Sequence, residues 1–371
     1  MTAAVSTSQS PRLCLFGEHQ DYLGLEVIAC AINLRFSAKI KDNGTDVINI
    51  KIRDSRIDTL GMENTEGAYE ETSISLAEPI TYENNRDYLK SSVNVLKRGG
   101  YPLRGFDIVM DSEIPIGKGM CSSSTMIVAL IKALLTAMEH PDGENPEKIA
   151  YLGYLAEVEE FGEPGGMMDH YASALGGLVN LDFTGGKTTP HRLDTVIPGV
   201  FILFDSKEQK NTTKVLADAK TPTLEGLGAT GATIKGLAAG RETMDLLSDL
   251  DEKHKKAVLA NVSNYKILTE AKAMLQNKVD PKRLGKLLYA HHENLRDGLG
   301  VSTPKIDAVI EAAMAAGALG GKVNGSGGGG CGYVYAEADK ADAVVAAISA
   351  LGYPAKIIHQ DTGVRCDGVI E

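Results

Sequence analysis

The chain has 371 residues, which at roughly 100–200 residues per domain reads as two domains, and it carries a formal net charge of −11. An acidic chain with a pI near 5.3 offers no bulk attraction to nucleic acid or to an anionic membrane surface. With 43% hydrophobic and 23% charged residues it is not a disordered chain, but its 40 glycines exceed the usual share of roughly 7%.

Five scattered cysteines, Cys14, Cys30, Cys121, Cys331 and Cys366, lack any paired or zinc-finger spacing, which fits a reducing compartment. The Ser/Thr-rich stretch 1–10 has no basic and then apolar leader, and no apolar run nears the ~18 residues of a membrane span. The expectation is a cytoplasmic protein acting on small molecules, with no nucleic-acid or membrane partner.

In chain order, the alternation of Ile32, Leu34, Phe36, Ala38 and Ile40 predicts a strand over 31–40. Strand patterns recur over 47–52 and 106–110, separated by an acidic, polar stretch, 54–85, that reads as excursion loops and a hairpin. The apolar run 122–138 predicts a buried helix opened by three serines that cap its orphan N–H groups. Asn145-Pro146-Glu147 is an N-cap, first-position proline and first-turn acid, opening a helix to about Glu160. A strand over 178–183 and a polar, glycine-bearing stretch, 184–187, end the first domain, dividing the chain into 1–184 and 185–371. The second domain reads as a short strand at 201–204, helical segments over 211–278, and a helical stripe of Leu284, Leu287, Leu288, His291 and Leu295. Thr303-Pro304 then starts a helix with Ile306, Val309, Ile310 and Ala313 on one face. A β-α-β finish follows over 331–336, 341–351 and 355–359, so the fold class is α+β.

Half of the glycines fall in four segments, 11–28, 113–125, 162–186 and 317–332. In the first, Glu18, His19, Asp21 and Tyr22 crowd into a turn after Gly17. Such a cluster suits a polyol, whose hydroxyls both donate and accept, and equally suits a solvated polar loop. In the second, glycines and Ser122, Ser123 and Ser124 precede the apolar helix. This is either an anion site, where N–H groups and the helix dipole meet phosphate, or an ordinary serine cap. It is not a Walker A loop, because Lys118 is followed by Gly119. In the third, Asp169 follows a Pro-Gly-Gly turn at a helix start, as a catalytic acid or as an N-cap. The fourth, 317–331, is too tightly flanked by a helix and a strand for a flexible linker, and points to close backbone approach to a ligand or to another segment.

Taken together and in this order, the four segments resemble the GHMP kinase superfamily of galactokinase, homoserine, mevalonate and phosphomevalonate kinases. Gly17-Glu18-His19-Gln20-Asp21-Tyr22 is similar to the GEHTDY signature of galactokinases, 115–124 to their PLGAGLSSSA phosphate loop, and Gly165-Gly166-Met167-Met168-Asp169-His170 to their CGIMDQ segment. The stretch 324–330 resembles the third GHMP motif. The resemblance implies a ribosomal-protein-like βαβ N-terminal domain, a ferredoxin-like C-terminal domain and an active site in the cleft between them. It implies ATP and Mg²⁺ as cofactors and a monosaccharide as partner, phosphorylated on its anomeric C1 hydroxyl, by a monomer or dimer.

Carried over residue by residue, the resemblance makes Asp169 the catalytic base and Arg12 its charged partner, since a guanidinium favours a neighbouring carboxylate and stabilises charge on the moving phosphoryl. Because that transition state is loose, Asp169 equally serves to orient the hydroxyl. Gly117, Lys118, Gly119, Met120, Cys121, Ser122 and Ser123 would wrap the ATP phosphates. Glu18, His19, Asp21 and the backbone at Gly166 would contact sugar hydroxyls, and Gly325, Ser326, Gly327 and Gly328 form the third glycine motif. Ser123 and Glu157 would hold the metal, with Glu159 and Glu160 as competitors for the second role.

Departures from the galactokinase pattern cluster near the presumed site: Cys14 for Asn, Leu23-Gly24-Leu25 for Asn-Gly-Gly, Lys118 and Cys121 in the phosphate loop, and His170 for Gln. They imply a galactokinase-like kinase for galactose or another aldose, such as galacturonate, arabinose or a heptose. A catalytically silent sugar and ATP sensor would keep the same loops. A mevalonate or homoserine acceptor fits the polar Glu18 cluster less well than a polyol does.

Overall fold

The computed structural model describes residues 4–53, 69–114 and 120–370. Two compact units divide the chain, and neither is continuous: the first comprises Met1–Arg12, Cys30–Gly177 and Gln360–Glu371, the second Leu13–Ala29 and Leu178–His359. The expected division into 1–184 and 185–371 therefore differs at both ends. Leu13–Ala29 lies in the second unit because Arg12–Phe16 and Glu26–Ala31 enter a four-stranded sheet with Leu178–Asp182 and Thr189–Leu193. The last residues return to the first unit because Arg365–Ile370 pairs antiparallel with Ala4–Gln9.

The first unit is built on a six-stranded sheet in the order Arg365–Ile370, Ala4–Gln9, Phe36–Asp42, Phe106–Ser112, Val47–Arg53, Tyr69–Ser75. All pairs are antiparallel except Val47–Arg53 with Phe106–Ser112. On Phe106–Ser112, buried Phe106, Ile108 and Met110 alternate with exposed residues, the pattern of a sheet with one covered face. The helix Ser122–Ala137 lies against Ala4–Gln9 and Phe36–Asp42. Its Ile127, Leu130, Ile131, Leu134 and Leu135 are fully buried, so it is apolar on more than one face, as expected for a core helix. The helices Pro146–Tyr154 and Met168–Leu175 pack on it.

In the second unit a further antiparallel sheet runs Gly320–Val323, Cys331–Ala336, Val200–Asp205, Ala355–Ile358. Ile202, Phe204 and Val334 join Ile306, Val309 and Ile310 of the helix Pro304–Ala315 in one core cluster.

Three sequence expectations change. The strand predicted over 31–40 is two strands, Glu26–Ala31 and Phe36–Asp42. Ile32 and Leu34 are fully buried in the break, so the alternation of apolar residues runs across it without a mark. The serines do not cap the helix that starts at Ser122: its N-cap is Cys121, at φ +49°, with no side-chain cap. Asp169 is likewise not an N-cap, because Met167 holds that position and Asp169 lies in the first turn. Of the stretch 54–85, residues 54–68 lie outside the described residues, while Tyr69–Ser75 pairs antiparallel with Val47–Arg53 as a hairpin arm.

Candidate active site

The residues singled out from the sequence fall into two groups, one in each unit. In the first unit, Arg12 Nε and Nη2 both donate to Asp169 Oδ1, at 2.9 and 2.6 Å. The Arg12 side chain is 3% exposed and that of Asp169 29%. A buried guanidinium thus fixes one carboxylate oxygen by a charge-assisted pair of bonds, while the carboxylate still reaches solvent. Asp169 stands on the helix Met168–Leu175, which begins directly after the turn holding Gly165 and Gly166.

A second constellation in this unit joins Ser123, Glu157 and His170. Ser123 Oγ donates to Glu157 Oε1 at 2.6 Å, and His170 Nε2 donates to Glu157 Oε2 at 2.8 Å. Burial by itself raises the Glu157 carboxyl, yet hydrogen bonds from His170, Ser123 and Ser124 outweigh it and hold the group below its ordinary value. Glu157 lies in a π-helical turn, Leu155–Glu159, that continues the helix Pro146–Tyr154. Such turns occur frequently at functional sites.

The two competing acids have other partners. Glu160 accepts from Arg98 and Tyr82, and exposed Glu159 accepts from Tyr154 at 2.5 Å. No group of three or more His, Cys, Asp or Glu side chains among the described residues is placed to hold a metal ion. A hydroxyl and a carboxylate oxygen side by side are nevertheless a hard, two-oxygen donor set, which fits Mg²⁺ bound through one or two protein ligands, nucleotide phosphates and water.

Met120 is fully buried, and Cys121 is buried with its thiol pushed up, chiefly by burial. Ser122 and Ser123 are half-buried. Gly117, Lys118 and Gly119 lie outside the described residues.

The second unit holds the other group, and here the reading of a solvated loop fails. Glu18 is 1% exposed and its carboxylate accepts from Lys322 Nζ at 2.7 Å, with neither side chain more than 2% exposed. Lys322 also donates to the Cys14 carbonyl at 3.0 Å. His19 is buried at φ +63°. Its Nε2 lies 3.1 Å from the Ser326 carbonyl, which only accepts, so that nitrogen carries the proton and Nδ1 accepts from the Tyr22 hydroxyl at 2.9 Å. Burial is the main cause pushing the His19 imidazole down to about 4. Gln20 donates to the Asn261 carbonyl, and half-buried Asp21 opens a short 3₁₀ turn.

Gly325, Gly327 and Gly328 all have left-handed φ. A Cβ on Gly327 would stand 2.1 Å from the Val301 carbonyl oxygen, and one on Gly328 2.5 Å from the Val215 side chain. The fourth segment's glycines therefore serve close approach to other segments of their own unit. Lys210 Nζ donates to Ser326 Oγ in the same loop at 2.7 Å.

Sequence reasoning missed Lys322 and the link from His170 to Glu157. Lys322 sits among glycines that were read for their backbone, and no short-range signal pairs it with Glu18.

Residues 87–177 match the family pattern described as the GHMP kinases N terminal domain, and 271–354 that of the GHMP kinases C terminal. The chain is a GHMP kinase. This GHMP kinase is 29% identical over 378 residues to the mevalonate kinase of Thermococcus gammatolerans, covering 99% of each chain. It is 27% identical over 367 residues to the galactokinase of Exiguobacterium sibiricum, covering 95% of this chain and 90% of the other. The structure of Lactococcus lactis galactokinase complexed with galactose has the same fold, with a TM-score of 0.77 at 21% identity over 98% of this chain and 95% of that one. The fold is thereby the two-domain GHMP kinase fold of mixed helices and sheets, and kinases of this family are phosphotransferases. No helix among the described residues is long and apolar enough to cross a membrane.

Proposed function

We propose that this GHMP kinase transfers the γ-phosphoryl of ATP to a hydroxyl of a monosaccharide, galactose or a related aldose. The observation that carries the kinase reading is the Arg12–Asp169 pair, in which both N–H groups fall on Oδ1 and Oδ2 stands outside the pair. Oδ2 accepts the hydrogen of the acceptor hydroxyl and aims its lone pair at the phosphorus, which for a loose transition state is most of what a base contributes. Arg12 fixes the carboxylate and adds positive charge where negative charge moves. Ser123 and Glu157 would hold Mg²⁺, which when bound neutralises charge on the transferring phosphates. Met120, Cys121, Ser122 and the stretch 117–119 would wrap those phosphates at the helix start.

Similarity of 17–22 and 165–170 to galactokinase segments supports the sugar acceptor. A second reading, mevalonate as acceptor, is favoured by the mevalonate kinase relative at 29% identity and by the burial of Glu18 and His19 against protein partners. That burial weakens the argument from a polyol-binding cluster.

The test is ADP release with ATP, Mg²⁺ and a panel of galactose, galacturonate, arabinose, glucose, mannose, a heptose and mevalonate. Turnover on one sugar, at least tenfold above mevalonate, is the expected result. Turnover on mevalonate alone installs the second reading, and none on the panel, with ATP still bound, leaves a silent sensor.

A further inference from the structure

We propose that His170, the residue following Asp169, is a positioning residue for the cation-binding carboxylate, holding Glu157 so that Oε1 faces Ser123. The proposal rests on the assignment of Ser123 and Glu157 to the cation.

Neighbouring residues on a helix point to different sides, and here they serve different partners: Asp169 meets Arg12, while His170 meets Glu157, thirteen positions upstream. The imidazole is 2% exposed and the Glu157 side chain 10%. Its Nδ1 is buried with no hydrogen-bond partner among the described residues, so the bond to Glu157 through Nε2 is the imidazole's one polar engagement among them.

The pocket is shaped for the ring. A Cβ on Gly153 would stand 3.1 Å from His170 Cδ2 and 3.0 Å from Val128 Cγ2, and the Tyr154 ring meets the imidazole edge-on at 6.1 Å. Glu157 is thereby gripped on both oxygens, by Ser123 on one and His170 on the other. A carboxylate in a π-helical turn has no regular helical packing to fix its direction, and His170 supplies the constraint. Hydrogen-bond partners of this kind commonly change metal affinity by roughly 10–100-fold when removed.

The readout is the ratio of AMP-PNP affinity with and without Mn²⁺, measured by calorimetry, which by linkage reports what the protein adds to metal binding. Glu157→Gln should lose that tightening. His170→Leu and His170→Asn should lose roughly tenfold of it, because neither places a donor at the Nε2 position, whereas His170→Gln, whose amide reaches that position, should restore it. A merely space-filling histidine would change the thermal midpoint of all three variants and leave the ratio alone.

If Glu157→Gln keeps the full ratio, the cation assignment falls. If Glu157→Gln loses it while the Asn and Gln variants of His170 bind alike, the assignment stands and the role of His170 is overturned. Should His170→Leu fail to fold, the Asn and Gln pair still decides.

Discussion

Both Arg12 bonds fall on one oxygen of Asp169, whose side chain is partly exposed, so a change confined to that carboxylate should separate binding from turnover. Asp169→Asn keeps the shape of the side chain and removes its charge. ADP release should fall by roughly 10²–10⁴-fold, with AMP-PNP affinity within about threefold of the wild type; unchanged turnover would remove Asp169 from the chemistry. The Glu18–Lys322 pair answers to stability instead. Lys322→Met strands a buried carboxylate and should cost about 3–5 kcal/mol in urea unfolding. The double change Glu18→Gln with Lys322→Met should recover part of that loss, and a neutral single variant would show that the pair is not the constraint it looks. Arg12, Asp169, Ser123 and Glu157 were singled out because local motifs carry them, and the structure brings Arg12 to Asp169 and Ser123 to Glu157. Glu18 was legible as chemistry but not as structure, because its partner lies 304 residues away. Glu157 was named ahead of Glu159 and Glu160 from the resemblance, and what separates the three in the structure is their partners, Ser123 and His170 against Tyr154 and against Arg98 and Tyr82.

At the level of elements, period-two and helical patterns located most strands and helices, but not the sheet each strand enters. The stretch 31–40 joins the ends of two strands in different sheets, Ala31 in one and 36–40 in the other, and the Ser/Thr-rich stretch read only for its lack of a leader contains the strand Ala4–Gln9. The closing strand, Arg365–Ile370, was invisible too, since Arg365, Asp367 and Gly368 break any apolar alternation. Its approach is fixed by backbone contact: Val364 N–H donates to the Ala174 carbonyl and Gly177 N–H to that of Asp361. Arg35 adds bonds to Asp361 at 2.6 Å and to the Gly363 carbonyl at 2.8 Å. A Cβ on Gly363 would fall 2.1 Å from the Ala174 carbonyl oxygen. The φ of Gly363 is not left-handed, so Gly363→Ala tests the close approach alone. It should lower stability by about 1–3 kcal/mol, read as a shift of the urea midpoint. A variant as stable as the wild type would mean that the terminal segment shifts to make room at no cost.

For the molecule as a whole, chain length foretold two compact units, and the acidic charge was read only as offering no bulk attraction to nucleic acid. Neither could foretell that each unit is assembled from separated stretches of chain, because strand pairing across more than 350 residues, as between Ala4–Gln9 and Arg365–Ile370, leaves no local trace. Nor does composition report which histidines are buried. Three of the eight, His19, His291 and His292, are buried in the second unit, and burial is the leading cause in each. It pushes His19 and His292 down to about 4 and His291 well below its ordinary value, with the charge of Lys322 acting in the same direction. A histidine depressed in the folded state binds its proton first in the unfolded chain, so its contribution is complete above the unfolded value of about 6.5 and is lost as pH falls toward the folded value. Each such group costs up to about 1.4 kcal/mol per pH unit across that window. The depressed carboxylates act only below their unfolded values, near pH 4, so the interval from pH 6.5 to about 4.5 isolates the histidines. Among them the three buried imidazoles outnumber His254, which is raised by Glu225 and Asp251 and acts in the opposite sense. The urea midpoint should therefore fall between pH 7 and pH 5. His291 stacks on Phe16, with ring centroids 6.1 Å apart; its Nδ1 lies 3.4 Å from the Leu15 carbonyl, and its Nε2 has no hydrogen-bond partner among the described residues. His291→Phe should therefore stay close to wild-type stability at pH 7 and show a shallower fall, and a midpoint that does not change between pH 7 and pH 5 would mean that these imidazoles reach protons in the folded state.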